Sequence, residues 1–195
     1  MAKKNSRNTR GRIISAAWKL FYEQGYENTT VEDIVFESET SRGSFYHYFD
    51  GKDALMGTLA YVFDERYEEL TPQLTDEMSA VEKLCFVNHE LYVTIETGVS
   101  IDLLTRLLST QLVARGEKHL LDRKRTYFKV LRQVVQEGQA KGELRSDLSV
   151  GEMVRAFAMW ERAQLYDWCL NDGDYSLVAY ADKMTPVFLS GFAAK

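Results

Sequence analysis

The sequence predicts an all-α protein: an N-terminal three-helix helix-turn-helix head plus a C-terminal helical bundle body, about nine helices in all. Three observations carry this expectation. The 195 residues include only two prolines, the residue most costly to a helix interior. Apolar residues recur at helical spacing from Ile13 to Phe192. No stretch alternates apolar and polar residues as a half-buried strand would.

The elements follow in order. Ile13, Ile14, Ala17, Leu20 and Phe21 mark a first helix over about 11–24. It is closed by Gly25, where a helix end wants tolerance of positive φ. Thr30 and Asp33 have the spacing of a capping box, opening a second helix that buries Val31, Ile34 and Val35 and runs to about Glu37. Ser38, Glu39 and Thr40 form the turn. Ser41 caps the third helix, in which Phe45 and Phe49 face the core together. Residues 11–49 thus make the three-helix unit that a helix-turn-helix requires.

Asp50 is the expected N-cap of a fourth helix of ~18 residues, with Leu55, Leu59, Val62 and Phe63 as its stripe and its end before Pro72. Ser79 with Glu82, and Ser149 with Glu152, are further capping boxes. They open a fifth helix over about Ala80 to Thr97 and an eighth over about Val150 to Leu170. Between them lie a leucine-rich sixth helix over about Ile101 to Ala114 (Leu103, Leu104, Leu107, Leu108, Leu112) and a seventh over about Leu120 to Ala140. The ninth follows Asp174 with Leu177, Ala181, Met184, Phe188 and Phe192 as its stripe, and Pro186 should kink or break it. The eighth helix is apolar on more than one face (Met153, Val154, Phe157, Met159, Trp160, Leu165, Trp168), so part of its cover is expected from a second copy. The predicted homodimer interface is the eighth and ninth helices of each subunit, a four-helix bundle.

The composition, 45% hydrophobic and 27% charged, is that of an ordinary globular protein. No stretch approaches ~18 consecutive apolar residues, and the basic start is followed by no apolar run of signal-peptide length, so a cytoplasmic protein and no membrane partner are expected. Cys85 and Cys169 are expected to be two unbridged core thiols. The net charge of −5 hides an asymmetry: residues 1–12 hold five basic residues and no acid, and the remainder after residue 52 is net acidic. A basic leading arm on an acidic body fits a DNA-binding head, and the arm either touches phosphates or is a solubilising tail.

An enzyme is the first rival. The three histidines form no Ser/His/Asp or metal-spaced set. Cys85 and His89 share a helix face but lack further ligands, so neither a metal nor a cofactor is expected, and elemental analysis for zinc would discriminate.

The spacing of Thr30, Ile34, Ser41, Gly43, Phe45, Tyr46, Tyr48, Phe49, Lys52 and Leu55 resembles the N-terminal pattern of the TetR family of bacterial transcriptional regulators. The resemblance covers about residues 11–60. Beyond it only length, helix count and the Gly138, Gly142-Glu143-Leu144 lead into the eighth helix match. Where the family carries Ala-Gly-Val in its turn this chain has Ser38-Glu39-Thr40, so Glu39 should take the glycine's positive φ with mild strain.

The resemblance implies residues 1–52 as arm and DNA-binding domain and 53–195 as effector-binding and dimerisation domain. It implies a dimer on a palindromic operator, usually a repressor, released by a small-molecule effector. The alternative is a DNA-binding helical protein without small-molecule control. Arg42 either reads guanine bidentately, contacts phosphate, or pairs with Glu39. Gly43 admits close approach of the backbone. Ser44, Tyr46 and His47 offer donors and a ring face to base edges, and Tyr48 meets phosphate or packs half-buried. Thr29, Thr30 and Lys52 sit at helix N-termini that favour phosphate. In this family the effector lies among helices four to eight, so Phe63, His89, Tyr92, Gln111, Phe128, Trp160 and Gln164 are the candidate lining. They suit an apolar or aromatic molecule of unknown identity.

Overall fold

The computed structural model describes residues 2–113 and 118–194, with the side chains of all of these except 2–8 and 59–62. Among them are ten α-helices: α1 (Ala2–Gln24), α2 (Val31–Glu37), α3 (Arg42–Tyr48), α4 (Lys52–Met56), α5 (Leu59–Leu70), α6 (Ala80–Gly98), α7 (Ile101–Val113), α8 (Thr126–Ala140), α9 (Val150–Leu170) and α10 (Leu177–Ser190). Contacts divide the chain into two units, Met1–Ala60 with Asp102–His119, and Tyr61–Ile101 with Leu120–Lys195.

The first unit is built on the expected stripe. Ile13, Ala17 and Phe21 of α1, Ile34 of α2, Phe45 of α3 and Phe49 just after it are all buried. Thr30, Ser41, Ser79 and Ser149 cap their helices as the sequence indicates. Thr30, Ser79 and Ser149 do so in complete capping boxes. Gly25 and Gly142 take positive φ. α1 starts at Ala2 rather than near Gly11, because the Lys, Arg and Asn of the arm tolerate helix and no breaker precedes Gly11. The side chains of residues 2–8, and with them most of the arm's charge, lie outside the described residues, as do Ala114 and the stripe positions Leu59 and Val62.

The expected fourth helix is two helices. The amide and hydroxyl of Thr58 both donate to the carbonyl of Leu55, at 2.8 and 2.6 Å, which closes a tight turn in place of the α-helical ladder. The Trp18 indole donates to the same hydroxyl at 2.8 Å. Gly51, without a side-chain cap bond, occupies the N-cap position expected of Asp50. The seventh predicted helix begins at Thr126 rather than Leu120, after a 3-10 turn over His119–Leu121. The Asp122 carboxylate accepts the Lys124 amide at 2.9 Å in an Asx-type turn that displaces helix there. Leu112, one of the leucines of the predicted sixth helix, is 70% exposed.

In the second unit, Leu84, Val87 and Ile95 of α6, Leu131 and Val135 of α8, Met153 and Phe157 of α9, and Leu177, Ala181 and Leu189 of α10 form the core. Pro186 does not break α10, which runs through it to Ser190. Cys85 and Cys169 form no disulfide, and both are partly exposed rather than core. No described helix is long and apolar enough to cross a membrane.

Candidate nucleic-acid interface and ligand site

The turn before α3 is held from α1. The Arg12 guanidinium donates to the backbone carbonyls of Ser38 and, at 2.7 Å, Glu39. Glu39 takes φ 48°, the left-handed conformation expected where the family pattern has glycine. The Ser38 and Thr40 hydroxyls lie 2.8 Å apart, and the Thr40 amide bonds the Val35 carbonyl at 3.1 Å. With Phe45 and Phe49 buried beneath it, α3 turns Arg42, Gly43, Tyr46 and His47 outward, with Ser44 and Tyr48 half-buried at the edges.

Each predicted contact residue has a definite setting. Arg42 pairs with Glu32 of α2 at 2.6 Å, not with Glu39. The Ser44 hydroxyl is 2.9 Å from that of Ser41. The Tyr46 ring stands edge-on to Phe45, and the His47 ring edge-on to Tyr48. Thr30 is exposed, its hydroxyl donating to Asp33 at 2.7 Å, and this bond with that of the Thr30 amide holds the Asp33 carboxyl below its usual range. The Lys52 ammonium donates to the Tyr26 carbonyl at 2.7 Å and lies over the Tyr26 ring. Thr29 is a correction: it is fully buried, its hydroxyl donating to the Gly25 carbonyl at 2.8 Å, so no side-chain atom is left to reach a phosphate. Phe36, 85% exposed on α2, and the ion-pair partner Glu32 escaped the sequence reading. The signal for Phe36 was its place off the Val31, Ile34, Val35 stripe.

The second unit encloses a polar cluster. The Glu161 carboxylate of α9 takes the Tyr127 hydroxyl of α8 on one oxygen and the Asn88 amide of α6, at 2.9 Å, on the other. The Thr185 hydroxyl of α10 donates to Asn88 at 2.9 Å, and the Tyr92 hydroxyl to the Glu161 backbone carbonyl at 3.0 Å. Burial lifts the Glu161 carboxyl to about 7, against the pull of the Tyr127 and Asn88 bonds. Burial raises the Tyr67, Tyr92 and Tyr127 phenols, with the Glu161 charge adding to each.

Two comparisons cover nearly the whole chain. Residues 13–59 match the family described as bacterial regulatory proteins, tetR family, and residues 62–191 match YsiA-like protein, C-terminal region. The chain belongs to the TetR family of transcriptional regulators. The chain is 44% identical over 77 residues to the HTH-type transcriptional regulator HbdR of Aromatoleum sp. (strain CIB), 39% of this chain and 34% of that protein. The fatty acid metabolism regulator protein of Bacillus subtilis (strain 168) is 23% identical over 184 residues, 94% of this chain and 95% of its own. The structure of Thermus thermophilus FadR in complex with lauroyl-CoA superposes with a TM-score of 0.72 at 22% identity, over 95% of this chain and 96% of that one. That last likeness is one of fold.

Within this TetR-family body the predicted lining residues separate. Tyr92 belongs to the polar cluster, and Gln164 and Phe63 are buried in the same unit. Trp160 stacks flat on Phe188, centroids 4.8 Å apart. Phe128 is in the wall of a groove of about 410 Å³ between α8 and α9, with Leu121, Val154 and Met159 and four arginines, Arg123, Arg132, Arg155 and Arg162. His89 is half-exposed, its Nδ1 2.8 Å from the Asp182 carboxylate of α10. Gln111 is on α7, in the first unit. On the outside of α9 and α10, Met159, Leu170, Tyr180 and Val187 are exposed.

Proposed function

We propose that this TetR-family regulator is a dimeric repressor that reads an inverted-repeat operator with α3 and is released by a fatty acyl thioester of the coenzyme A type. The observation that carries the DNA-reading part is the division of α3: Phe45 and Phe49 anchor one side while Arg42, Tyr46 and His47 point away from the protein. A helix so anchored presents its donors to the major groove. Arg42, Ser44, Tyr46 and His47 read bases, Gly43 admits the close approach, and Thr30, Tyr48 and Lys52 hold phosphates at helix N-termini and the groove edge. Residues 1–52 supply this head and 53–195 the effector and dimer functions.

The arginine-lined groove supports the effector reading. Four guanidiniums around apolar walls match a ligand that carries phosphates at one end and hydrocarbon at the other. A FadR of similar fold is described with lauroyl-CoA bound. The exposed Met159, Leu170, Tyr180 and Val187 of α9 and α10 support pairing of two copies through these helices.

The test is selection of genomic fragments by the purified protein, with and without dodecanoyl-CoA. Enrichment of an inverted repeat, and its release by dodecanoyl-CoA at micromolar concentration, is the expected result. No enrichment overturns operator reading, and retention in the presence of dodecanoyl-CoA overturns the effector. Light scattering is expected to give twice the chain mass, and Met159→Asp with Val187→Asp to give the single-chain mass.

A further inference from the structure

Five buried side-chain polar atoms lack a hydrogen-bond partner among the described residues, and three of them lie on α9: the Trp160 Nε1 and both amide atoms of Gln164. A fourth is the Tyr67 hydroxyl of α5. Trp160 and Gln164 are four residues apart and share a helix face, and Glu161 is one turn before Gln164. Gln164 is only 4% exposed. A buried primary amide with neither end bonded is destabilising, and a leucine of similar size would pack there without that penalty. The amide offers two donors and an acceptor, the complement of a carbonyl-bearing head group. Trp160 stacked on Phe188 supplies a flat apolar wall beside it.

The charges around this amide decide which head it takes. Glu161 is buried, and its oxygens take neutral donors, Tyr127 and Asn88. The buried cations of the same unit are engaged elsewhere: Arg125 with Asp64 at 3.0 Å and Lys83 with Glu137 at 3.1 Å. Arg162, next along α9, lowers the Glu161 carboxyl less than burial raises it and lines the groove between α8 and α9. A carboxylate seated at Gln164 would stand one turn from the Glu161 carboxylate in a low-dielectric core, where like charges repel strongly.

We propose that Gln164 is the recognition site for the head of an otherwise apolar effector, that it takes a neutral carbonyl group (amide, ester or thioester), and that Glu161 excludes a free carboxylate from it. The proposal rests on the reading of this unit as the effector-binding body. It makes Glu161 a specificity residue that acts by charge, and it gives Gln164 a reason to be unpaired among the described residues.

The experiment is calorimetric titration of the intact chain with dodecanoyl-CoA, dodecanamide and dodecanoate at pH 8, where Glu161 is ionised. The wild-type protein binds the first two, and dodecanoate at least ~10-fold more weakly than dodecanamide. Glu161→Gln brings dodecanoate to within about 3-fold of dodecanamide. Gln164→Leu weakens dodecanamide at least ~10-fold while raising the melting temperature of the ligand-free protein, a pairing that a merely structural glutamine would not give. Dodecanoate binding as tightly as dodecanamide to wild type, or a folded Glu161→Gln that keeps the discrimination, overturns the proposal. Failure of dodecanoyl-CoA alone removes the thioester reading and leaves the amide–carboxylate comparison to decide the site. Failure of all three ligands overturns both.

Discussion

At the scale of the residue, Arg42 shows how a side chain proposed to read DNA is held before DNA arrives. Its guanidinium is paired with Glu32 at 2.6 Å, with both side chains more than half exposed. An exposed pair of this kind is worth at most about 1 kcal/mol, enough to orient the guanidinium and little enough to be given up to a base. Arg42→Ala is therefore expected to cost about 1–3 kcal/mol of operator binding. Glu32→Gln removes a competing anion and is expected to tighten binding about 3-fold, with a steeper salt dependence. Fluorescence anisotropy on the selected operator over a salt series measures both, and an unchanged affinity in Glu32→Gln would show that the pair does not compete with DNA. Thr29 makes the opposite case. Its place at a helix N-terminus suggested a phosphate contact, but its hydroxyl is buried on Gly25. Thr29→Val is expected to lower stability by about 1 kcal/mol and leave operator affinity unchanged once folded, measured by denaturant unfolding beside anisotropy. The sequence could place Thr29 before α2 but not decide which way its hydroxyl turned, because that depends on the Gly25 turn closing behind it.

At the scale of the element, what was legible is what is local. Capping boxes, the turn glycines and the α3 anchors each depend on residues three or four apart, and all are found where their spacing puts them. The weak Gly138, Gly142-Glu143-Leu144 signal also has a physical basis. A side chain at Gly138 would come within 2.5 Å of Ala80, Gly142 takes positive φ, and Glu143 accepts the Ala80 amide at 2.6 Å. The break between α4 and α5 was not legible, because the Thr58 hydroxyl that closes it on Leu55 is also held by the Trp18 indole, remote in sequence. A Cβ at Gly57 would lie 2.6 Å from the ring of His119. Gly57 has helical φ and ψ, so alanine there should be worth up to about 1 kcal/mol on propensity alone. The clash reverses the sign. Gly57→Ala is expected to destabilise the wild-type chain and to stabilise His119→Ala, a double-mutant coupling of about 1–3 kcal/mol measured by thermal unfolding. Destabilisation of equal size in both backgrounds would mean that the ring is not the obstacle.

At the scale of the whole molecule, the sequence divides the chain once, after Lys52, whereas contacts gather α7 with α1 to α4. Arg106 of α7 ion-pairs with Glu27 and lies over the Tyr26 ring, partners some 80 residues away that no periodicity could announce. The buried acid of the other unit was equally hidden. Position 161 lies on a helix that reads as apolar nearly all round, and a lone glutamate there looks like surface until Tyr127 and Asn88 converge on it. Its burial has a consequence for the stability of the whole chain. The Glu161 carboxyl is lifted to about 7 in the folded protein from 4.5 in the open chain. Below pH 4.5 it is protonated in both states and contributes no slope. Between 4.5 and 7 the unfolded chain loses the proton while the folded chain keeps it, so stability falls as pH rises across that window and levels off above it. At about 1.4 kcal/mol per unit the decline is roughly 3 kcal/mol. The depressed acids Asp33, Glu82, Glu137 and Glu152 act with the opposite sign, and they lose their contribution as pH falls below about 4.5, outside this window. Urea unfolding at pH 5, 6, 7 and 8 is thus expected to show wild type weakening up to pH 7, and Glu161→Gln, which has no proton to lose at that position, losing most of that slope. A Glu161→Gln profile parallel to wild type would place the titrating group elsewhere and would mean that Glu161 is already ionised in the folded chain at pH 5.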